Sequence, residues 1–149
     1  MPAIRPATPD DAATIGAQRR SMFFDMGYRD GLDSMVEAFV PWVRERMSAG
    51  EYLGWLALSE SGAIAAGAGL WLMDWPPHMI GTGRRGNILN VYTESAYRRQ
   101  GLARRLTETA VEWCRANRIG VAVLHASEDG RPLYRSMGFT QSNEMRLVL

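Results

Sequence analysis

Lysine is absent from this 149-residue chain: all 17 basic residues are arginine. The absence excludes Schiff-base chemistry and a Walker-type phosphate loop, since both need a lysine ammonium. Cysteine occurs once, as Cys114. No internal disulfide can form, and no cysteine pair has metal-ligand spacing. The two histidines, His78 and His125, lie far apart, so no metal site is expected. No stretch approaches the ~20 apolar residues of a membrane span. The longest, from Ala63 to Met73, is short enough to be a strand. The opening residues Met-Pro-Ala-Ile-Arg-Pro carry no apolar signal region. A surplus of one charge is also missing. The formal net charge is +1, whereas a nucleic-acid partner usually requires a strongly basic face. The expectation is a soluble cytoplasmic protein with neither a nucleic acid nor a membrane as partner.

Apolar residues are plentiful. At 46% hydrophobic and 22% charged, the chain can fill one core, and a single domain over residues 1–149 is expected. Residues 3–8 read as a short strand. Thr8-Pro9-Asp10-Asp11 is a helix-start signal, and the helix should run to about Met26. Asp33 or Ser34 can cap a second helix, in which Pro41 should make a kink or a split. Tyr52 to Leu58 and Ala63 to Met73 read as a hairpin around Glu60-Ser61-Gly62. Asp74 to His78 reads as a loop, and Gly81 to Gly86 as another loose stretch. Asn87 to Thr93 is the next strand, followed by a helix from Leu102 to Asn117 with Leu102, Leu106, Ala110 and Trp113 on one face. Ile119 to Leu124 reads as a buried strand, Pro132 to Met137 as a short helix, and Phe139 to Leu149 as a last strand. The order is β-α-α-β-β-β-α-β-α-β. Early hairpins and late crossover helices imply the α/β class with a mixed sheet flanked by helices.

The chemistry concentrates where the Asn87–Thr93 strand feeds Tyr97-Arg98-Arg99-Gln100-Gly101-Leu102-Ala103-Arg104. The first N–H groups of a helix have no internal partner and, with the helix dipole, favour an anion. Gly101 lets a phosphate approach the backbone, and Ala103 keeps the next position small. Arg98, Arg99 and Arg104 add charge suited to a polyanion.

Arg98-Arg99-Gln100-Gly101-Leu102-Ala103 resembles the Gln/Arg-x-x-Gly-x-Gly/Ala signature of the GNAT superfamily of N-acetyltransferases. Downstream, Arg131-Pro132-Leu133-Tyr134-Arg135-Ser136-Met137-Gly138-Phe139 looks like the second block of that family. The resemblance implies a GNAT-like fold and acetyl-CoA as cosubstrate. It implies that the backbone of Val91, Tyr92 and Thr93 runs beside the pantetheine arm, and that Arg99, Gln100, Gly101, Leu102, Ala103 and Arg104 wrap the pyrophosphate. Arg84 or Arg85 could add to that phosphate charge. Tyr134 falls where the family commonly has a general acid for the departing thiolate. Ser127 stands where the family often has a coenzyme A-contacting Asn, so one hydroxyl replaces an amide.

The implied reaction is direct transfer of the acetyl group to an amine in a ternary complex. The alternative is a non-catalytic acyl-CoA sensor or interaction module on the same fold. The acceptor, a small molecule or a peptide amine, is not named by the residues, and a homodimer is allowed for. No general base stands out among Glu94, Asp74, His125, His78 and Glu144. His125 alternates with Val121 and Val123 and reads as structural. An acceptor pocket is expected near Met22, Phe23, Phe24, Tyr28, Trp71, Trp75 and Met79, with Trp75-Pro76-Pro77 as a rigid wall. Trp71 and the helix residues read as core packing.

Overall fold

The computed structural model describes residues 2–149. A short strand, β1 (Ala3–Pro6), leads through a 3-10 turn into α1 (Ala12–Asp25) and α2 (Leu32–Ser48). Then come β2 (Tyr52–Leu58), β3 (Ile64–His78), β4 (Gly81–Thr93), α3 (Leu102–Ala116), β5 (Ala122–Leu124) and α4 (Arg131–Ser136). The sheet order is β1-β2-β3-β4-β5. The first four strands pair antiparallel, and β5 joins β4 in parallel. This is the mixed sheet expected from hairpins followed by a crossover helix.

Alternation along the strands divides the core in two. Trp55, Ala57, Ala66, Ala68, Leu70, Leu72 and Ile88 pack with Leu102, Leu106, Ala110 and Cys114 of α3. Tyr52 faces the other way and joins Ala12, Ile15, Phe39 and Val43 of the first two helices, with Trp71 and Leu89 beside them. Side chains two apart share a face of a strand, so each helix layer meets its own set.

Several local expectations change. Pro41 lies inside α2, and the helix runs through it without splitting. Neither Asp33 nor Ser34 caps that helix: its N-cap is Gly31, Asp33 pairs with Arg20 at 2.8 Å, and the Ser34 hydroxyl donates to the Gly31 carbonyl. The stretches read as loops at 74–78 and 81–86 are strand, because β3 and β4 continue as one long hairpin. The two prolines are accommodated by an irregularity in the pairing between Trp75 and His78, where a missing N–H costs no ladder bond. The expected last strand over 139–149 does not form: no residue there is in a strand. In consequence β5 is an edge, shorter than expected, and its three residues are only half-buried.

Glycine has a specific task in the middle of the sheet. A Cβ on Gly69 would overlap the Tyr52 hydroxyl and ring carbon Cζ. Only glycine lets that phenol cross the strand to reach Asn90, whose Nδ2 donates to it at 2.9 Å.

Candidate functional site

Three things converge at one end of the sheet: the open flank of β4, the start of α3 and the segment after β5. β4 pairs with β5 only at Gly86, Asn87 and Ile88. From Leu89 to Thr93 the same flank of β4 has no strand beside it. A bulge marks the divergence. On the β3 side, Tyr92 pairs with Gly67 and Leu89 with Gly69, so Asn90 and Val91 together face Ala68. Asn90 takes up the extra residue with φ of 55°. Such a bulge bends a strand and re-aims its side chains. It is visible in the packing, since Ile88 and Val91, an odd number apart, both contact the α3-side core. Val91, Tyr92 and Thr93 are half-buried along this flank.

The turn into α3 follows. Arg99 has φ of 62° and Gly101, the N-cap, φ of 75°. The N–H of Arg105 donates to the Gly101 carbonyl at 3.1 Å. The N–H groups of Leu102, Ala103 and Arg104 precede it and have no helical acceptor. Gly101 and Gln100 are exposed, and a Cβ at Gly101 would meet open space. Room therefore exists for a ligand against this backbone. Leu102 is buried and anchors the turn from below.

The arginines divide by partner. Arg98 is committed to structure: it donates to Asp25 of α1 at 2.6 Å and to the Thr93 carbonyl at 3.0 Å. Arg104 donates to the Ser136 hydroxyl and lies 3.7 Å from Glu108, so it ties α3 to α4. Among the described residues Arg99 makes no ion pair and no side-chain hydrogen bond. Arg84 and Arg85 do not belong here. They sit eight and seven residues up β4 from Tyr92, roughly 24–27 Å at ~3.4 Å per residue. There Arg85 stacks on the Trp75 ring at 3.7 Å.

Tyr134 lies on α4, beyond the end of β5, half-buried and edge-on to Phe139 with ring centroids 5.8 Å apart. Burial raises its phenol above the ordinary value of 10.0, which keeps it a proton donor. Its hydroxyl makes no hydrogen bond among the described residues. Ser127 has a structural task that the sequence reading missed. Its hydroxyl accepts from the Gly130 N–H at 3.1 Å and its carbonyl from the Arg131 N–H at 3.0 Å. Gly130 in turn leaves room for the Tyr134 ring, whose Cε2 would lie 3.1 Å from an added Cβ.

The sequence reading also missed a polar cluster under the bulge. Arg19 Nη1 donates to Asn90 Oδ1 at 2.7 Å, and Asn90 passes a bond on to Tyr52. Burial lowers the Arg19 pKa and pushes Tyr52 up to about 12. Arg19 stands over the rings of Phe23 and Phe39 at 4.9 and 5.0 Å. The one signal available was a polar Asn inside an apolar strand.

The candidate bases scatter. Asp74 and His78 lie on the distant half of the hairpin. Glu94 closes β4, its carboxylate 3.4 Å from the Tyr92 hydroxyl. His125 is not a buried structural residue: its side chain is 77% exposed and its ring faces Glu144 at 3.2 Å. The Trp75-Pro76-Pro77 segment does not wall the cleft, because it rides on the hairpin toward Val121. Met79 is exposed at the hairpin turn. Trp71 is core, edge-on to Trp42 at 5.3 Å. Cys114 is buried and its thiol is pushed up by burial, so it offers no ready nucleophile.

A family model described as the acetyltransferase (GNAT) family matches residues 19–139. Among solved structures, a GCN5-related N-acetyltransferase from Ralstonia eutropha is 35% identical, with a TM-score of 0.94 over 100% of this chain and 99% of that one. A predicted acetyltransferase from Clostridium acetobutylicum, crystallised with acetyl-CoA, is 27% identical, with a TM-score of 0.91 over 100% of this chain and 96% of that one. Glucosamine-6-phosphate N-acetyltransferase from Arabidopsis thaliana shares the fold at 18% identity and a TM-score of 0.76, over 100% of this chain and 98% of that one. No curated protein matches the sequence.

Proposed function

This chain belongs to the GNAT acetyltransferase family, and we propose that it transfers the acetyl group of acetyl-CoA directly to a primary amine. The observation that carries the reading is the flank of β4 after Ile88 with no strand beside it, followed by the start of α3, where the N–H groups of Leu102, Ala103 and Arg104 have no helical acceptor. An extended amide-rich arm can hydrogen-bond to such a flank, which otherwise holds unpaired backbone groups. A pyrophosphate suits the helix start at its end. Val91, Tyr92 and Thr93 would line the pantetheine, and Arg99 through Arg104 the phosphates. Ser127 can add the proton of its hydroxyl and one remaining lone pair, since its oxygen already accepts once from Gly130.

The chemistry is one addition and one elimination. The neutral amine attacks the thioester carbonyl carbon, and an N–H near Val91 stabilises the charge that develops on oxygen. The C–S bond then breaks, Tyr134 protonates the departing thiolate, and the nitrogen of the adduct loses its extra proton to water, from which the Tyr134 phenolate is reprotonated. Direct transfer agrees with the lack of lysine and the burial of Cys114, which leave neither an amine nor a thiol side chain ready to take the acetyl group. The Arg19 cation beside the bulge disfavours a polycationic acceptor. The test is release of free thiol from acetyl-CoA across a panel of amines and peptides. Tight acetyl-CoA binding with no thiol release for any amine would overturn the catalytic reading in favour of a binding module.

Two variants test the cofactor contacts. Gly101→Val puts a branched side chain at a φ of 75°, which β-branched residues avoid, and fills the space above the helix start. Acetyl-CoA affinity should fall at least ~10-fold, about 1.4 kcal/mol, by calorimetry on a variant of unchanged circular dichroism. Unchanged affinity would remove the turn from the site. Arg99→Ala should weaken coenzyme A binding and flatten its decline with salt, since an exposed ion pair fades as the Debye length shrinks to ~3 Å at 1 M. An identical salt slope in both proteins would show that Arg99 touches no phosphate.

A further inference from the structure

The polar layer between α1 and the sheet holds more donors than the chain satisfies. Arg19 is half-buried. Its one side-chain hydrogen bond goes to the neutral oxygen of Asn90. Its Nε is buried without a partner, and among the described residues it makes no ion pair. The nearest acids in the sequence on either side, Asp11 and Asp25, are paired with Arg5 and Arg98. One residue earlier, Gln18 is 4% exposed, and its Nε2 is also buried without a partner. Gly67 leaves room for that amide, as Gly69 does for Tyr52, since a Cβ at either would overlap the side chain lying on it. The rings of Phe23 and Phe39 beside the guanidinium offset part of its desolvation. A cation drawn out of water without a counter-ion still costs stability. Both unmet buried groups in this layer are donors, and one of them belongs to a full positive charge.

This layer adjoins the reacting centre. Asn90 is bonded to Val91, whose N–H serves the thioester oxygen in the proposed reaction. Covalent dimensions put the Arg19 guanidinium within roughly 9 Å of that N–H. The coenzyme would occupy the flank of β4 and the start of α3, which leaves the α1 face of the bulge to the acceptor. We propose that Arg19 sets the specificity of the acceptor site by binding an oxyanion, a carboxylate or a phosphate, carried by a compact amine. The inference rests on the acetyl-transfer reading and narrows its acceptor class. Nη1 is bonded once to Asn90, so its second N–H and both of those on Nη2 remain. A guanidinium presents such N–H groups to two oxygens at once. The Asn90 bond also fixes the fork against the bulge. The span from anion to amine is therefore set by the strand that holds the thioester, and it selects acceptors with few bonds between nitrogen and oxyanion. A neutral amine leaves the cation unpaired, and a site built around a polar partner rejects the analogue that lacks it.

The experiment compares paired acceptors by thiol release from acetyl-CoA: the common amino acids against their carboxamides, and phosphoethanolamine against ethanolamine. The same compounds are titrated by calorimetry into the protein saturated with coenzyme A. In wild type the oxyanion-bearing member should lead by roughly 10–100-fold in kcat/KM, mostly through KM. A preference in the carboxylate pairs alone, or in the phosphate pair alone, supports the proposal and identifies the oxyanion. Arg19→Met should erase the preference. Arg19→Lys, which keeps the charge without the fork, should retain part of it. Neutral members used as well as charged ones would overturn the proposal and leave acetyl transfer intact. So would an undiminished preference in a folded Arg19→Met protein or, if that variant does not fold, in Arg19→Lys. If no amine releases thiol, the acetyl-transfer reading falls and calorimetry decides the site. Binding of an oxyanion-bearing amine that the Arg19 substitution weakens at least ~10-fold supports it. Binding that the substitution leaves unchanged, or no binding at all, overturns it.

Discussion

Tyr134→Phe should lower kcat by ~10–100-fold while leaving the acetyl-CoA dissociation constant within a few-fold of wild type. The asymmetry follows from the proposed task. Protonating the thiolate is an interaction that exists only as the thioester breaks, and such an interaction shows in kcat and not in ground-state binding. Phenylalanine keeps the ring that packs edge-on against Phe139 and the space that Gly130 leaves for it, so stability should hardly change. The pH profile supplies a second reading. Burial raises the phenol above 10.0, so the donor form persists through neutral and mildly alkaline pH. Any loss due to its ionisation falls above pH 10 in wild type and is missing from the variant. Steady-state kinetics beside direct binding is the measurement. Wild-type kcat in the variant across that range would leave Tyr134 a packing residue, with the thiolate taking its proton from water.

Gly69→Ala should cost about 3 kcal/mol of stability, a large loss for one methyl group. The methyl would overlap both the hydroxyl and the Cζ of Tyr52. The ring cannot simply bend aside, since Tyr52 is 2% exposed and is packed edge-on against Trp42. Displacing it breaks the bond from Asn90 and leaves buried polar groups of the Arg19–Asn90–Tyr52 cluster without partners. Because Asn90 is the bulge residue, the same variant should weaken acetyl-CoA binding. Urea unfolding gives the first quantity and calorimetry the second. A stability change under ~0.5 kcal/mol would mean that the phenol has other room and that the glycine is incidental.

Much of the molecule was legible in the sequence because the signals were local. A short apolar run bounded by turn residues marks Tyr52–Leu58, and an apolar stripe at helical spacing marks Leu102–Ala116; each appears where it was expected. Hairpins that precede a crossover helix led to a mixed sheet, which the pairing bears out. Gly101 stood out in the sequence as a residue without a side chain at a helix start, and the structure adds that its φ is 75°. The loops expected around Pro76-Pro77 and Gly81–Gly86 were misread for a physical reason. Proline and glycine weaken a strand in isolation, but a long partner and a pairing irregularity carried both.

Composition excluded whole classes of chemistry, since there is no lysine, one cysteine and no membrane-length apolar run, and the resemblance of residues 98–103 and 131–139 to the two GNAT blocks pointed to the family. Only the tertiary structure decided which of those residues were free to act. Arg98 and Arg104 look equivalent to Arg99 along the chain, but Asp25 and Ser136 come from elements 73 and 32 residues away. Ser127 and Gly130 hold α4, a fact that lies in their mutual hydrogen bond and not in their identities. The last segment shows the same division. Alternating apolar residues from Met145 to Leu149 state that a strand should form, since the pattern is local. Only the tertiary structure shows that no strand forms there, with residues 140–149 exposed and without a backbone–backbone hydrogen bond.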